Sequence, residues 1–208
     1  MSVQFSKPKT LLSVDVLPSA STAVQETTNR RSFLRSGGQL TLSAMAISML
    51  SGLNAKVASA SDKQTMMDIQ ILNTAIAAEH EAVAAYQVGA ESGLLSSAIL
   101  NVAVQFQGHH KEHIDALSKA VGSLGGEAAG PLAIYQFPVE KLKTETDVLT
   151  FAASLERGAV SAYAGAIPLF EQRELSKAAA SILADEAMHW AVLRQVLGLN
   201  PVPGAFFS

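Results

Sequence analysis

Four stretches of the chain repeat apolar residues at alternating three- and four-residue steps, and each is interrupted near its middle by Glu or His. The seams are Ile69, Leu72, Ile76, Glu79, Val83, Tyr86; then Ile99, Ala103, Phe106, His110, His113, Leu117; then Leu149, Ala152, Glu156, Ala159, Tyr163; and Leu175, Ala179, Ile182, Glu186, His189, Leu193, Val196. This spacing keeps one face of a helix apolar. It constrains the chain to an all-α fold in which four helices turn these faces towards each other. Burying a charge is costly unless something pairs with it, so the polar residues at mid-seam have to meet. The seam also decides between neighbours: Glu81 lies about 200° around the helix from Glu79, and His109 and Glu112 fall off the second seam. Gln107 is discounted on the same ground.

Helix boundaries follow from local signals. Ser61-Asp62-Lys63-Gln64 reads as a capping-box start, and the first period runs from Asp62 to about Glu91, before Ser92-Gly93. The second runs from about Leu94 to Val121 and stops at Gly122 and Gly125-Gly126. Residues 123–143 have no long period and contain Pro131 and Pro138. A connection this long is uncommon between adjacent helices and implies a crossover along the bundle. Thr144-Glu145-Thr146-Asp147 reads as a new cap. The third helix runs to about Ile167, where Pro168 ends or kinks it. The fourth starts near Glu171–Leu175 and ends before Asn200-Pro201. Residues 201–208, PVPGAFFS, form a tail expected to strap over the bundle end through Phe206 and Phe207.

Residues 1–60 read differently. NRRSFLR at 29–35 is a twin-arginine pattern, Leu40–Leu53 is apolar and uncharged, and Ala58-Ser59-Ala60 is an A-x-A exit. Together they make a signal peptide with an extended n-region. Its apolar run is short for a bilayer span, so no stable membrane insertion is expected after cleavage. The expected localisation is periplasmic or otherwise exported. Residues 61–208 hold 9 Lys/Arg against 16 Asp/Glu, a net −7. This acidity argues against nucleic acid and anionic membranes as partners. The sequence has no Cys, which excludes disulfides and thiolate-held metal sites. No Gly-x-Ser-x-Gly elbow and no phosphate-binding glycine loop is present.

The two halves repeat. AEHEAVAAY (78–86) aligns with LERGAVSAY (155–163), pairing Glu79 with Glu156 and Tyr86 with Tyr163. HKEHIDAL (110–117) aligns with EAMHWAVL (186–193), pairing His113 with His189 and setting His110 opposite Glu186. The chain therefore reads as two helix hairpins related by a pseudo-twofold axis. Glu79, His110, His113, Glu156, Glu186 and His189 converge in the core. Three carboxylates in a low-dielectric interior repel one another strongly without a cation. A metal site is the economical reading, and a hydrogen-bonded Glu/His core without metal competes with it. Mixed imidazole and carboxylate suit iron, manganese or zinc better than calcium or magnesium. Tyr86 and Tyr163, two turns beyond a Glu, read either as core packing or as hydrogen-bond donors or radical relays to the site.

This pattern resembles the ferritin-like di-metal carboxylate bundles, in which two helices give one Glu each and the other two give Glu-x-x-His. Glu79, Glu156 and Glu186-Ala187-Met188-His189 match it; His110-Lys111-Glu112-His113 departs from it, with His where the family has Glu. The resemblance covers nearly all of residues 62–198 and looks closest to small exported ferritin-like proteins, among them rubrerythrin-like and desiccation-related relatives. It implies a ferritin-like four-helix bundle over residues 61–200. It also implies a site for iron, as two ions or fewer, or for manganese, with zinc less favoured. Expected partners are metal ions and O2 or peroxide, with a homodimer left open. Two functions compete: an exported metal-dependent oxidoreductase, ferroxidase- or peroxidase-like, and a non-catalytic envelope or stress-protection protein with structural metal or none. No catalytic residue is assigned.

Overall fold

The computed structural model describes residues 60–207, so the proposed signal peptide lies outside the described residues. Four helices carry the fold: α1 (Ala60–Glu91), α2 (Ser97–Ser123), α3 (Glu145–Ala166) and α4 (Arg173–Val196). Short 3-10 turns at Val139–Lys141 and Ile167–Leu169 flank α3, and there is no strand among the described residues. The bundle is made of two hairpins, α1 against α2 and α3 against α4. No described helix is long and apolar enough to cross a membrane.

The local signals act through identifiable bonds. Thr144 caps α3: its side chain accepts from the Asp147 N–H, and the Asp147 carboxylate accepts from the Thr144 N–H. Pro168 has no N–H to continue the ladder, and α3 passes into the 3-10 turn there. Gly125, at φ +77°, turns the chain out of α2 in a conformation that favours glycine. The crossover that follows is pinned to α1 by Asn73, whose amide donates to the Glu127 carbonyl and accepts from the Ala129 N–H. Gly126 lies tight there, where an added Cβ would meet the side chains of Ile69 and Val121 at 3.0 Å.

Four expectations need correction. The chain is already helical at Ala60, so Ser61 lies within the first turn instead of preceding it, and Gln64 spends its amide on Asp68 and the Leu169 carbonyl. The second helix starts at Ser97 rather than near Leu94, because Gly93 turns at φ +70°. Ser96 gives its N–H to the Glu145 carboxylate. On α3 the fully buried small residues are Ala153 and Val160, not Ala152 and Ala159, and Val196 on α4 is exposed. A straight helix drifts about 20° per heptad from a strict seven-residue repeat, and α3 packs against both α1 and α4, so its buried stripe is broad. In the tail, Phe207 packs on Trp190 and under Arg157, whereas Phe206 projects into solvent.

Two apolar clusters divide the core. One gathers Leu72, Ile76, Leu117, Val121, Leu175 and Ile182 with Tyr163. The other gathers Phe106, Leu149, Ala153 and Leu193 with Tyr86. The two tyrosines mark the border of the polar layer between the clusters.

Candidate metal centre

The six residues expected to converge do so. Glu79 on α1, Glu156 on α3, Glu186 and His189 on α4, and His110 on α2 are all buried; His113 is 12% exposed. They form two overlapping groups of ligand atoms that all lie within 4.8 Å of one another: Glu79, His110, His113 and Glu186, and His110, Glu156, Glu186 and His189. His110 and Glu186 belong to both. Each group takes one single-Glu helix and one of the two histidines at i+3, which is the arrangement the internal repeat requires.

The distances show how the carboxylates are shared. His110 spans the layer, with Nδ1 2.8 Å from Glu79 Oε2 and Nε2 3.4 Å from Glu156 Oε1. His113 Nδ1 lies 3.1 Å from Glu186 Oε1 and 3.4 Å from Glu79 Oε2. His189 Nδ1 lies 3.4 Å from Glu156 Oε2 and 4.0 Å from Glu186 Oε2. The tyrosines cross between hairpins: Tyr163 donates to Glu79 Oε1 at 2.6 Å, and Tyr86 donates to Glu156 Oε1. Tyr86 lies beyond Glu79 on α1 and Tyr163 beyond Glu156 on α3, so α1 and α3 run antiparallel. Both phenols are held well above their ordinary range, by burial first and then by the carboxylate each one faces. They remain protonated donors.

Five buried atoms have no hydrogen-bond partner: His113 Nδ1, His189 Nδ1, Glu156 Oε2 and both oxygens of Glu186. An orphaned buried polar atom costs about 1–3 kcal/mol, and five facing one another need an occupant. All five are nitrogen or carboxylate oxygen, the donor set that suits first-row transition metals. The protonation pattern of the metal-free protein agrees. Burial pushes the Glu186 carboxyl up, the Glu156 and Glu79 charges push it further, and it reaches about 11. Burial alone would lower His110, but its contacts with Glu156 and Glu79 outweigh this and lift it to about 10. His113 is raised by Glu79 in the same way. Glu79 and Glu156 are lowered, because the histidines overcome the cost of burial. Protons thus occupy the places where a cation would act.

Two neighbours of this centre escaped the sequence reading. His109, placed off the seam, has its Nδ1 3.0 Å from Asp185 Oδ2 and 2.9 Å from His189 Nε2. Asp185 Oδ2 also lies 3.3 Å from His113 Nε2 and 3.2 Å from His189 Nε2. The signal was in the repeat: the offset that sets His110 opposite Glu186 also sets His109 opposite Asp185. Gln107 is buried, but its amide donates to the Val83 carbonyl and to Gln87, away from the centre. Glu112 is exposed. An apolar cavity of about 30 Å³ abuts the layer at Tyr86 and Phe106 and is lined further out by Leu149 and Leu193.

Comparisons with known proteins agree with the four-helix fold. A family model described as "Ferritin-like domain" matches residues 67–199. No curated protein matches the chain. Among solved structures, a conserved hypothetical protein from Mycobacterium tuberculosis superposes with a TM-score of 0.60 at 22% identity, over 69% of this chain and 99% of that one. A second, from Bacillus anthracis str. Ames, is titled as ferritin-like, diiron-carboxylate proteins. It superposes with a TM-score of 0.56 at 20% identity, over 64% of this chain and 97% of that one.

Proposed function

We propose that this chain, which belongs to the ferritin-like domain family, binds iron in its bundle core and uses it to handle O2 or peroxide outside the cytoplasm. Manganese is the alternative metal. The observation that carries the reading is the set of five buried nitrogen and oxygen atoms without partners, all aimed into one layer. The description of the Bacillus neighbour as a diiron-carboxylate protein supports the choice of iron for that fold. Glu79, Glu156, Glu186, His113 and His189 would hold the metal. Bound there, a redox-active ion supplies electrons to an oxidant. The chain's own part is to keep the layer buried, to hold Glu156 through Tyr86 and Glu79 through Tyr163, and to offer a small apolar cavity beside Tyr86 with room for a molecule such as O2. Export rests on the twin-arginine pattern at residues 29–35 alone.

His110 favours a second reading. A neutral imidazole has one lone pair, so His110 cannot bridge two ions as a carboxylate does. Held protonated between Glu79 and Glu156, it neutralises part of the layer by itself. This suits a scaffold with one structural ion or none, in a non-catalytic envelope or stress-protection role.

Elemental analysis of the protein purified without added metal or chelator separates the two. About two iron ions per chain, with oxidant consumption lost in His189→Ala, is the expected result. No metal, and none taken up on reconstitution, would sink the catalytic reading.

A further inference from the structure

His109, Asp185 and His189 meet at the border of the buried layer. Their side chains are 33%, 21% and 2% exposed, so the group meets water at His109 and Asp185 and is buried at His189. His109 Nδ1, Asp185 Oδ2 and His189 Nε2 form a triangle with sides of 3.0, 2.9 and 3.2 Å. Two metal–ligand bonds of about 2.1 Å at a right angle hold their donor atoms about 3.0 Å apart. The triangle therefore has the size of one face of an octahedron. Two imidazoles and one carboxylate on a face, with the opposite positions open, is an arrangement that takes a divalent first-row metal. Hydrogen bonding explains the group less well. One carboxylate oxygen lies within 3.3 Å of three imidazoles, and His109 Nδ1 lies within hydrogen-bond distance of both Asp185 and His189 while carrying at most one proton.

His189 connects this rim to the core. Its Nε2 is in the triangle while its Nδ1 faces Glu156 without a hydrogen-bond partner. Phe106 stacks on the ring with centroids 3.9 Å apart and holds its plane. We propose that His109, Asp185 and His189 form a rim site that shares His189 with the core, takes a divalent first-row transition metal ion from solvent and passes it to the core through that residue. A neutral imidazole coordinates through one nitrogen at a time. With the ion on Nε2, Nδ1 carries the proton. To stay neutral throughout, the imidazole would release the Nδ1 proton to water as that nitrogen takes the ion, while Nε2 would take one from water at the exposed rim and donate a hydrogen bond to Asp185. The rim site stands on its own geometry; its intake role rests on the core reading.

Co(II), followed by its visible absorption in the full chain, tests both. In a core-blocked variant, Glu79→Gln with Glu156→Gln, one Co(II) per chain should still bind. Adding His109→Ala should weaken that binding at least tenfold. His109→Gln, which keeps bulk against Phe106 without an imidazole, should do the same, with folding checked by circular dichroism. With the core intact, His109→Ala should slow uptake of limiting Co(II) about tenfold and leave the final amount unchanged. No Co(II) on the core-blocked chain, or affinity indifferent to His109, overturns the rim site. An uptake rate indifferent to His109 overturns the intake role. Binding that depends on His109 in a chain taking up only that one ion overturns the core reading and upholds the rim.

Discussion

The pseudo-twofold repeat brings a histidine of the first hairpin against an acid of the second in two successive layers. His110 meets Glu186 in the core, 2% and 0% exposed, and His109 meets Asp185 at the rim, 33% and 21% exposed. The residue types match and the solvent does not. At the rim, water and salt screen the pair, and such contacts are worth about 0–1 kcal/mol. In the core the same chemistry is forced to keep its protons: Glu186 is raised to about 11 and His110 to about 10. Burial, rather than residue type, turns a histidine–acid pair into one that must hold its protons when no metal is bound.

The largest effect should come from His110→Glu, which adds a fourth carboxylate to the dry layer. Removing a partner from a buried charge cluster costs about 3–5 kcal/mol. Urea unfolding of the metal-free variant should show a loss of that order, recovered largely on adding iron or manganese. An unchanged midpoint would mean that burial is not what separates the layers. Next, Glu186→Ala should weaken core metal binding about 100-fold or more, read by competition with a chelator. Wild-type affinity in that variant would place the ion elsewhere.

The crossed tyrosines are a finer probe. Tyr86→Phe and Tyr163→Phe each remove a hydrogen bond to a buried carboxylate, at a cost of about 1–3 kcal/mol. Comparable losses in chemical denaturation are expected if the hairpins are energetically equivalent; a large inequality would show that one half of the layer dominates.

Proton linkage follows. The raised pKa values of His110, His113 and Glu186 mean that the folded chain keeps protons the unfolded chain has released. The Glu186 contribution is full below pH 4.5 and falls above it, and the histidine contributions fall from pH 6.5 upward, with His110 lost by about 10. Glu79 and Glu156 are lowered, so their stabilisation is lost on acidification below 4.5. The metal-free Tm should therefore be highest near pH 4.5, fall on acidification, and fall by several degrees towards pH 9, more steeply above pH 6.5. Metal replaces those protons, so the loaded protein should show a flat or opposite slope. The smallest effect is at the rim: His109→Ala should shift stability by about 0.5 kcal/mol or less, and a larger loss would mean that water does not screen this layer.

Much of this was legible in the sequence because periodicity and repeat act together. The 3,4 spacing selected Glu79 over Glu81 and His110 over Glu112, and the side-chain burial follows that choice. The cap at Thr144 and the break at Pro168 were legible because each acts within one turn of its own residue. What escaped was whatever depends on a neighbour's angle. The choice of Ala153 and Val160 over Ala152 and Ala159 follows from how α3 sits between two partners. His109 reaches the rim because a long side chain off the seam can still meet its counterpart near the axis, a fact that seam counting discards and the repeat retains.

The crossed phenols carry a consequence for assembly. Each tyrosine belongs to one hairpin and its carboxylate to the other. Within a single hairpin neither acid has that donor, so docking of the hairpins is the step that first satisfies both. Opening the seam between hairpins undoes both phenol bonds in one event, so the centre records in its chemistry whether the two halves of the chain are together.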